Sequence, residues 1–240
     1  MRPSHSTLSL TPAHLFSSEE IDAALQRVIS AILELSAEAW AAICKAGELK
    51  DEHRKCEVRT TGLLRNRMLQ IKHLQGSWSA VKFKIKIEVG SQSQPDLQVP
   101  DGSIDIEVIY SLEDDPDFRI ECKRVSNSTQ HRRDHLAREY IKEGVLRFVE
   151  DKYGRGHRWA AMFAYAVDGD AEGSSARIGQ YVARYKVKET RTYEPWCRET
   201  RFGNHDFLYR TGHLQGNNRS RICLLHFFLP FPKCNHCGEG

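Results

Sequence analysis

The sequence predicts a mixed α/β fold in which helices cover both faces of a central sheet. Three segments with a two-residue hydrophobic period follow one another after residue 80, as in a meander of strands. Two nearly continuous apolar runs, at 157–167 and 221–231, come after helical segments and are typical of strands buried on both faces. The predicted order of elements is therefore α, α, β, β, β, α, β, α, β.

The composition is that of a globular protein. The chain has 240 residues, of which 40% are hydrophobic and 28% are charged, and its mean hydropathy is −0.54. These values exclude a membrane protein and argue against disorder. The first twenty residues lack the apolar core of a signal peptide, and the seven cysteines are odd in number and scattered. We therefore expect a reduced, cytoplasmic protein.

The N-terminal part is predicted to contain a loose arm and two helices. The arm covers 1–16, and residues 17–20 fit a capping box at the start of a helix that runs to about residue 46. A second helix is predicted over about 50–74.

The rest of the chain alternates strands and helices. The predicted strands are 81–89, 103–110, 118–125, 157–167 and 221–231. Helices are predicted over 131–152 and 174–185, and 186–220 is predicted to be irregular. We accordingly divide the chain into an arm and helix (1–48), a main domain (49–231) and a C-terminal tail (232–240).

Charged side chains converge on the second and third predicted strands. Strand alternation puts Asp105 and Glu107 on one face of their strand, and Glu121 and Lys123 on one face of the next. If these strands pair as a hairpin, Asp105, Glu121 and Lys123 come together. Three charges on a helix-covered sheet are costly unless they are compensated, and a divalent cation between the carboxylates compensates them.

These residue types suit hydrolysis of a phosphodiester. Carboxylate oxygens suit Mg²⁺, which keeps several waters in its shell, and Mn²⁺ can take its place. Lys123 can orient or deprotonate the attacking water and offset the phosphate charge. The intervening residue, Cys122, keeps Glu121 and Lys123 on one face while its backbone carbonyl can bind the metal.

The stretch from Pro100 to Asp105, followed by Glu121-Cys122-Lys123, resembles the PD-(D/E)xK nuclease superfamily, which has the restriction-endonuclease-like fold. The segments 140–154 and 162–169 and the closing strand at 226–229 are similar to uncharacterised bacterial restriction-like proteins. The resemblance covers roughly residues 50–230.

The resemblance implies a metal-dependent deoxyribonuclease with a role in restriction or antiphage defence. Asp105, Glu121 and Lys123 would be catalytic, and Asp105, Glu121 and Cys122 would bind Mg²⁺. Asp101 matches the letters of the motif, but Asp105 matches its strand position better, and Glu107 is a secondary candidate ligand. The sequence leaves open whether a homodimer or a partner subunit is required.

The resemblance also implies a further acid on the helix that precedes the sheet. Glu57 lies on the same helical stripe as Leu64, Met68 and Ile71, which is predicted to face the sheet. A carboxylate on that stripe needs a partner, and we assign Glu57 as an additional metal ligand. Glu52 is the alternative if the helix has another register.

Basic residues follow the predicted catalytic strand. Residues 119–138 contain six Lys or Arg against two Asp or Glu. Arg132, Arg133 and Arg138 open the helix after the strand, where backbone N–H groups can also bind phosphate. With Arg124 they are the candidate DNA-binding residues, and an ordinary solvated helix face is the alternative. A row of lysines, Lys82, Lys84 and Lys86, is either a solvated strand face or a further DNA contact.

Two other functions fit the sequence. A subunit with the same fold could bind nucleic acid or a partner protein without cutting. The tail carries Cys234 and Cys237 in a C-x-x-C pair, which would need two more ligands to hold zinc, and a frayed tail is the alternative.

Overall fold

The computed structural model describes most of the chain. The described residues are 18–74, 84–91, 102–109, 117–128, 134–153, 157–185, 190–216 and 220–233.

Three helices precede the sheet: α1 (Ser18–Lys45), α2 (Asp51–Lys55) and α3 (Glu57–Leu74). The predicted first helix is confirmed. The second was predicted as one continuous helix, which is wrong, because Cys56 has an extended backbone with φ −130° and ψ 108° between α2 and α3. The interruption lets Glu57 start a new helix beside the sheet.

Seven strands form one mixed sheet in the order β1-β2-β3-β4-β7-β6-β5. The strands are β1 (Lys84–Ser91), β2 (Gly102–Ile109), β3 (Asp117–Val125), β4 (Trp159–Ala166), β5 (Thr192–Arg198), β6 (Leu208–Gln215) and β7 (Ser220–Pro230). The three central strands β3, β4 and β7 are parallel, and each side of the sheet continues with antiparallel strands. The predicted hairpin of β2 and β3 is confirmed.

Four helical segments connect the later strands: α4 (Asp134–Tyr140), a π-helical turn (Ile141–Val145), α5 (Leu146–Val149) and α6 (Ala171–Arg184). A single helix was predicted over 131–152. This prediction is wrong, because the π-helical turn separates α4 from α5. Gly144 lies in this turn with no side chain between the backbone and the sheet, so the turn approaches β3 and β4 closely.

The region 186–220 was predicted to be irregular, and this prediction is wrong because it contains β5 and β6. The usual strand alternation of apolar buried and polar exposed residues is absent from β6, because its buried residues Thr211, His213 and Gln215 are polar. Hydrogen bonds satisfy them. Thr211 Oγ1 lies 2.7 Å from both His213 Nε2 and His226 Nε2, and Gln215 Nε2 donates to the Phe148 carbonyl at 3.0 Å.

The core has two parts, one on each face of the sheet, so the predicted α/β class with helices on both faces is confirmed. Helices α1 and α3 cover one face, where Trp40 stacks on Tyr165 of β4 at 5.4 Å between ring centroids. The π-helical turn and α4 to α6 cover the other face, where Tyr140 and Ile178 are buried. Among the described helices, none combines the length and apolarity needed to cross a bilayer.

Candidate active site

The hairpin of β2 and β3 brings the two central carboxylates together. Its register pairs Ile106 with Ile120, and continuing it by one residue places Asp105 opposite Glu121. The Cys122 N–H donates to Asp105 Oδ2 at 2.7 Å. The hydrogen bond holds the Asp105 carboxylate against the middle of β3.

Lys123 lies at the centre of the cluster. Its Nζ donates to Glu121 Oε1 at 2.7 Å, to Glu57 Oε1 at 2.9 Å and to the Cys122 carbonyl at 2.9 Å. The Lys123 side chain is only 12% exposed. An ammonium group has three N–H donors, so these three acceptors satisfy it.

Glu57 reaches the cluster from the first residue of α3. Its Oε1 accepts from Lys123, and its Oε2 accepts from the Arg124 N–H at 3.1 Å. The helix is oriented by Leu64 and Met68, which are buried on the same face of the sheet as α1. The structure therefore brings Glu57 to Lys123, while the alternative Glu52 is exposed and pairs with Arg59.

Burial dominates the electrostatics of Glu121, whose residue surface is 2% exposed. Burial and the nearby Asp105 charge raise the pKa of Glu121 to about 8, although Lys123 and Arg147 oppose the shift. Burial alone would lower the pKa of Lys123, but Glu121, Glu57 and Asp105 raise it above its ordinary value. Lys123 is thus a fixed positive charge, while Glu121 can exchange a proton near neutral pH.

A helical wall that the sequence reasoning missed completes the site. A Cβ on Gly144 would lie 3.7 Å from Lys123 Cγ, so the π-helical turn packs on the lysine stem. One turn later, Arg147 donates to the Tyr153 hydroxyl and, at 2.7 Å, to Glu143. The spacing of Glu143, Gly144 and Arg147 puts them on one side of a helix, a signal that could have identified Arg147.

The residues present suit a Mg²⁺ ion that keeps several of its waters. Asp105, Glu121 and the Cys122 carbonyl would be its oxygen ligands from adjacent strands, and one or two carboxylates are usual for Mg²⁺. Glu121 Oε2 is buried and has no hydrogen-bond partner, so it is available as a ligand. The described residues contain no group of three or more His, Cys, Asp or Glu side chains arranged to hold a metal.

The remaining predicted site residues lie elsewhere or outside the described residues. Glu107 lies opposite Arg119, and their charged groups are 3.7 Å apart. Arg138 is exposed on α4. The residues of interest that fall outside the described ranges are Lys82, Asp101, Arg132, Arg133, Cys234 and Cys237.

A basic cavity of about 400 Å³ lies beside Glu57. Arg54, Lys55, Arg124 and His135 contribute to its lining. The Arg124 guanidinium donates to the Lys55 carbonyl at 2.7 Å and to the Arg54 carbonyl at 3.2 Å, at the end of α2. Arg54, Lys55 and Arg124 outnumber the acid in this lining, Asp51, so a net positive charge lies next to the carboxylate–lysine cluster.

Comparison of the chain with protein-family models, with curated proteins and with solved structures finds no match.

Proposed function

We propose that the protein is a metal-dependent endonuclease of restriction-endonuclease-like fold that hydrolyses phosphodiester bonds in DNA. The observation that carries the proposal is the convergence of Asp105, Glu121 and Lys123 on one face of a hairpin. Restriction or antiphage defence in the cytoplasm is part of the same proposal, and it rests on the sequence resemblance alone.

The proposed reaction assigns a task to each side chain. Asp105, Glu121 and the Cys122 carbonyl would hold Mg²⁺, which when bound supplies an activated water and neutralises phosphate charge. Lys123 places a positive charge beside these ligands and can orient the attacking water. Glu57 accepts a hydrogen bond from the lysine ammonium, which keeps the ammonium at the hairpin, and its role as an additional metal ligand stays a prediction.

The basic cavity supports a nucleic-acid substrate. Arg54, Lys55 and Arg124 are close to Glu57 and can contact the phosphate backbone on either side of the cleaved bond. Such contacts depend on charge and not on base sequence. Binding of DNA is therefore expected to weaken as the salt concentration rises.

The proposal is tested with purified full-length protein, supercoiled plasmid and single-stranded DNA in Mg²⁺, Mn²⁺ or EDTA. We expect cleavage in either metal and none in EDTA. Lys123→Ala should reduce cleavage by at least about a hundredfold, because the charge beside the reacting phosphate is lost. The matched control is Lys142→Ala, an exposed lysine in the π-helical turn, which should cleave like the wild type. Cleavage retained in both Lys123→Ala and Asp105→Ala would contradict the assignment.

A second candidate, a catalytically silent subunit that binds nucleic acid or a protein, is favoured by one observation. Lys123 is already satisfied by three oxygens, so its ammonium group needs no metal-bound water or substrate to complete its hydrogen bonds. Thermal melting separates the two candidates. If the site is active, Mn²⁺ should raise the Tm of the wild type by several degrees, and Asp105→Ala should abolish this rise. If the protein is catalytically silent, Mn²⁺ should raise the Tm of neither the wild type nor Asp105→Ala.

A further inference from the structure

Four side chains form a continuous series of hydrogen bonds on the face of the sheet that α4 and α6 cover. The Tyr140 hydroxyl oxygen lies 2.8 Å from His226 Nδ1, and His226 Nε2 lies 2.7 Å from Thr211 Oγ1. Thr211 Oγ1 lies 2.7 Å from His213 Nε2, and His213 Nδ1 lies 2.7 Å from the Thr190 carbonyl oxygen. This histidine network (Tyr140, His226, Thr211 and His213) is fully buried, so water does not compete for its bonds.

The backbone carbonyl at one end of the network fixes the direction of every bond in it. A carbonyl oxygen only accepts, so His213 Nδ1 carries the hydrogen, and the Nε2 of a neutral His213 is an acceptor. The Thr211 hydroxyl therefore donates to His213 Nε2 and accepts from His226 Nε2–H. His226 Nδ1 is then an acceptor, and the Tyr140 hydroxyl donates to it. His213 is thus the Nδ1–H tautomer, and His226 is the Nε2–H tautomer.

The network accommodates two neutral imidazoles and no additional proton. Each of its donors, two hydroxyls and two imidazole N–H groups, has its own acceptor. A further proton on either imidazole turns an acceptor nitrogen into a donor, so one buried N–H or O–H group is left without an acceptor. Burial lowers the pKa of His213 to about 4, although the Thr190 carbonyl opposes the shift. Burial and the neighbouring His213 also lower the pKa of His226.

The groups that face the two imidazoles carry no negative charge to offset a protonated ring. Besides the network itself, the titratable side chain in line with His226 is that of Tyr209, which lies opposite it on β6. The strands beside the two histidines contribute uncharged side chains: Met162 of β4, Trp196 and Thr192 of β5, and Ile222 of β7. Among the described residues, no carboxylate contributes to the pKa of either imidazole. A proton on either ring would therefore be a buried and unpaired charge, which is costly.

The network fastens the helical wall of the candidate active site to the sheet. Tyr140 is the last residue of α4 and directly precedes the π-helical turn. Within this turn, Gly144 packs on Met162 and on the stem of Lys123. Met162 is in turn paired with His226 on the neighbouring strand β7. The Tyr140 hydroxyl therefore holds the start of the turn to β7, one strand beyond the residue on which the turn packs.

We propose that the histidine network is an acid-sensitive latch that fastens the π-helical turn to the sheet only while both imidazoles are neutral. When the latch opens, His226 can take up a proton at its ordinary pKa of 6.5. One pH unit below this value, the open form is therefore favoured about tenfold for each histidine that it exposes. A pKa lowered by folding means that the latch is fully closed above about pH 6.5 and weakens as the pH falls towards the pKa of His213, about 4. The latch acts on the turn whether or not the neighbouring site hydrolyses DNA.

The test is native-state hydrogen exchange of the full chain in EDTA, read at the amides of 141–145 and corrected for the intrinsic pH dependence of exchange. We expect the turn of the wild type to open about tenfold more readily at about pH 5.5 than at about pH 7.5. His226→Gln should lose most of this response, because a glutamine amide can accept from Tyr140 and donate to Thr211 but does not titrate. The matched control is His135→Gln, which changes an exposed histidine on α4 and should respond like the wild type.

A second pair of variants tests the bond to the turn without changing a histidine. Tyr140→Phe removes only the hydroxyl and should raise opening of the turn at about pH 7.5 by about two- to tenfold. Tyr165→Phe removes a buried hydroxyl that donates to Thr61 at 3.1 Å on the other face, and it should leave the turn unchanged. An acid response that is absent from the wild type, or retained in full by both His213→Gln and His226→Gln, would overturn the proposal. So would a His226 Nδ1–H tautomer at neutral pH, detected by nitrogen NMR of the imidazole rings.

Discussion

At the scale of single residues, the hairpin could be anticipated because a strand fixes the direction of each side chain. Asp105, Glu121 and Lys123 share a face through the two-residue period alone. The neighbours from other elements could not be found in this way. The helical spacing of Glu143, Gly144 and Arg147 could single out Arg147, but its electrostatic effect on Glu121 depends on how α5 docks on the sheet, which that spacing does not give.

Glu121 carries a prediction that belongs to this scale. Its pKa in the folded protein, about 8, lies above the ordinary value of 4.5, so the folded state holds a proton that the unfolded chain releases. Stability is therefore lost as the pH rises from about 4.5 to about 8. We expect the Tm of Glu121→Gln, relative to the wild type in EDTA, to rise across this range.

The control for this experiment is Glu150→Gln, which changes an exposed carboxylate beside Lys152. Its Tm difference from the wild type should stay flat over the same pH range. A Tm difference for Glu121→Gln that is equally flat would show that Glu121 is ionised throughout and that its burial is compensated.

At the scale of elements, the strands with a clear two-residue hydrophobic period were predicted, whereas β6 and the π-helical turn were not. β2 and β3 have clean alternation, so their bounds matched the prediction to within about one residue. β6 was not predicted because its buried residues Thr211, His213 and Gln215 are polar. Their burial is possible because they form hydrogen bonds with partners on other strands and helices, which the sequence does not reveal. The π-helical turn was not predicted either, and its close approach to β3 and β4 at Gly144 is visible only in the folded structure.

The turn gives a prediction about Gly144. A Cβ there would overlap Cε at the end of the Met162 side chain, 3.2 Å from its Sδ, while its contact with Lys123 Cγ would be an ordinary one at 3.7 Å. Gly144→Ala should therefore reduce the free energy of unfolding by about 1–3 kcal/mol, as overpacked cores do. Urea denaturation measures the change.

Gly62 is the matched control, because it lies in α3 and a Cβ at this position would meet no atom within 4 Å. Gly62→Ala should stabilise the protein by up to about 1 kcal/mol through its better helix propensity. If Gly144→Ala were as neutral or stabilising as Gly62→Ala, the expectation that the Met162 side chain has no room to move aside would be wrong.

At the scale of the whole molecule, α1 joins the same core as the sheet. Trp40 is 4% exposed, stacks on Tyr165 and donates from Nε1 to the Pro230 carbonyl at 2.8 Å. One side chain thus connects α1 to the central strand and to the end of β7. The amphipathic pattern predicted this helix, but its partner could be known only once the strand order was known.

Trp40→Ala should destabilise the protein by about 3–5 kcal/mol, because it leaves a large cavity and an unpaired carbonyl. Val58→Ala, at a position that is 65% exposed on α3, should change stability by less than about 0.5 kcal/mol. Guanidinium denaturation compares the two variants. A small effect of Trp40→Ala would mean that α1 contributes little to the common core.

The strand order has a consequence for the newly made protein. β4 is central in space, but its second neighbour β7 follows every other described element in the chain. A growing chain can form the β2–β3 hairpin early, whereas the sheet around β4 closes only when β7 has been synthesised. The parallel core of the sheet, from β3 through β4 to β7, is therefore complete only once nearly all of the described chain has been synthesised.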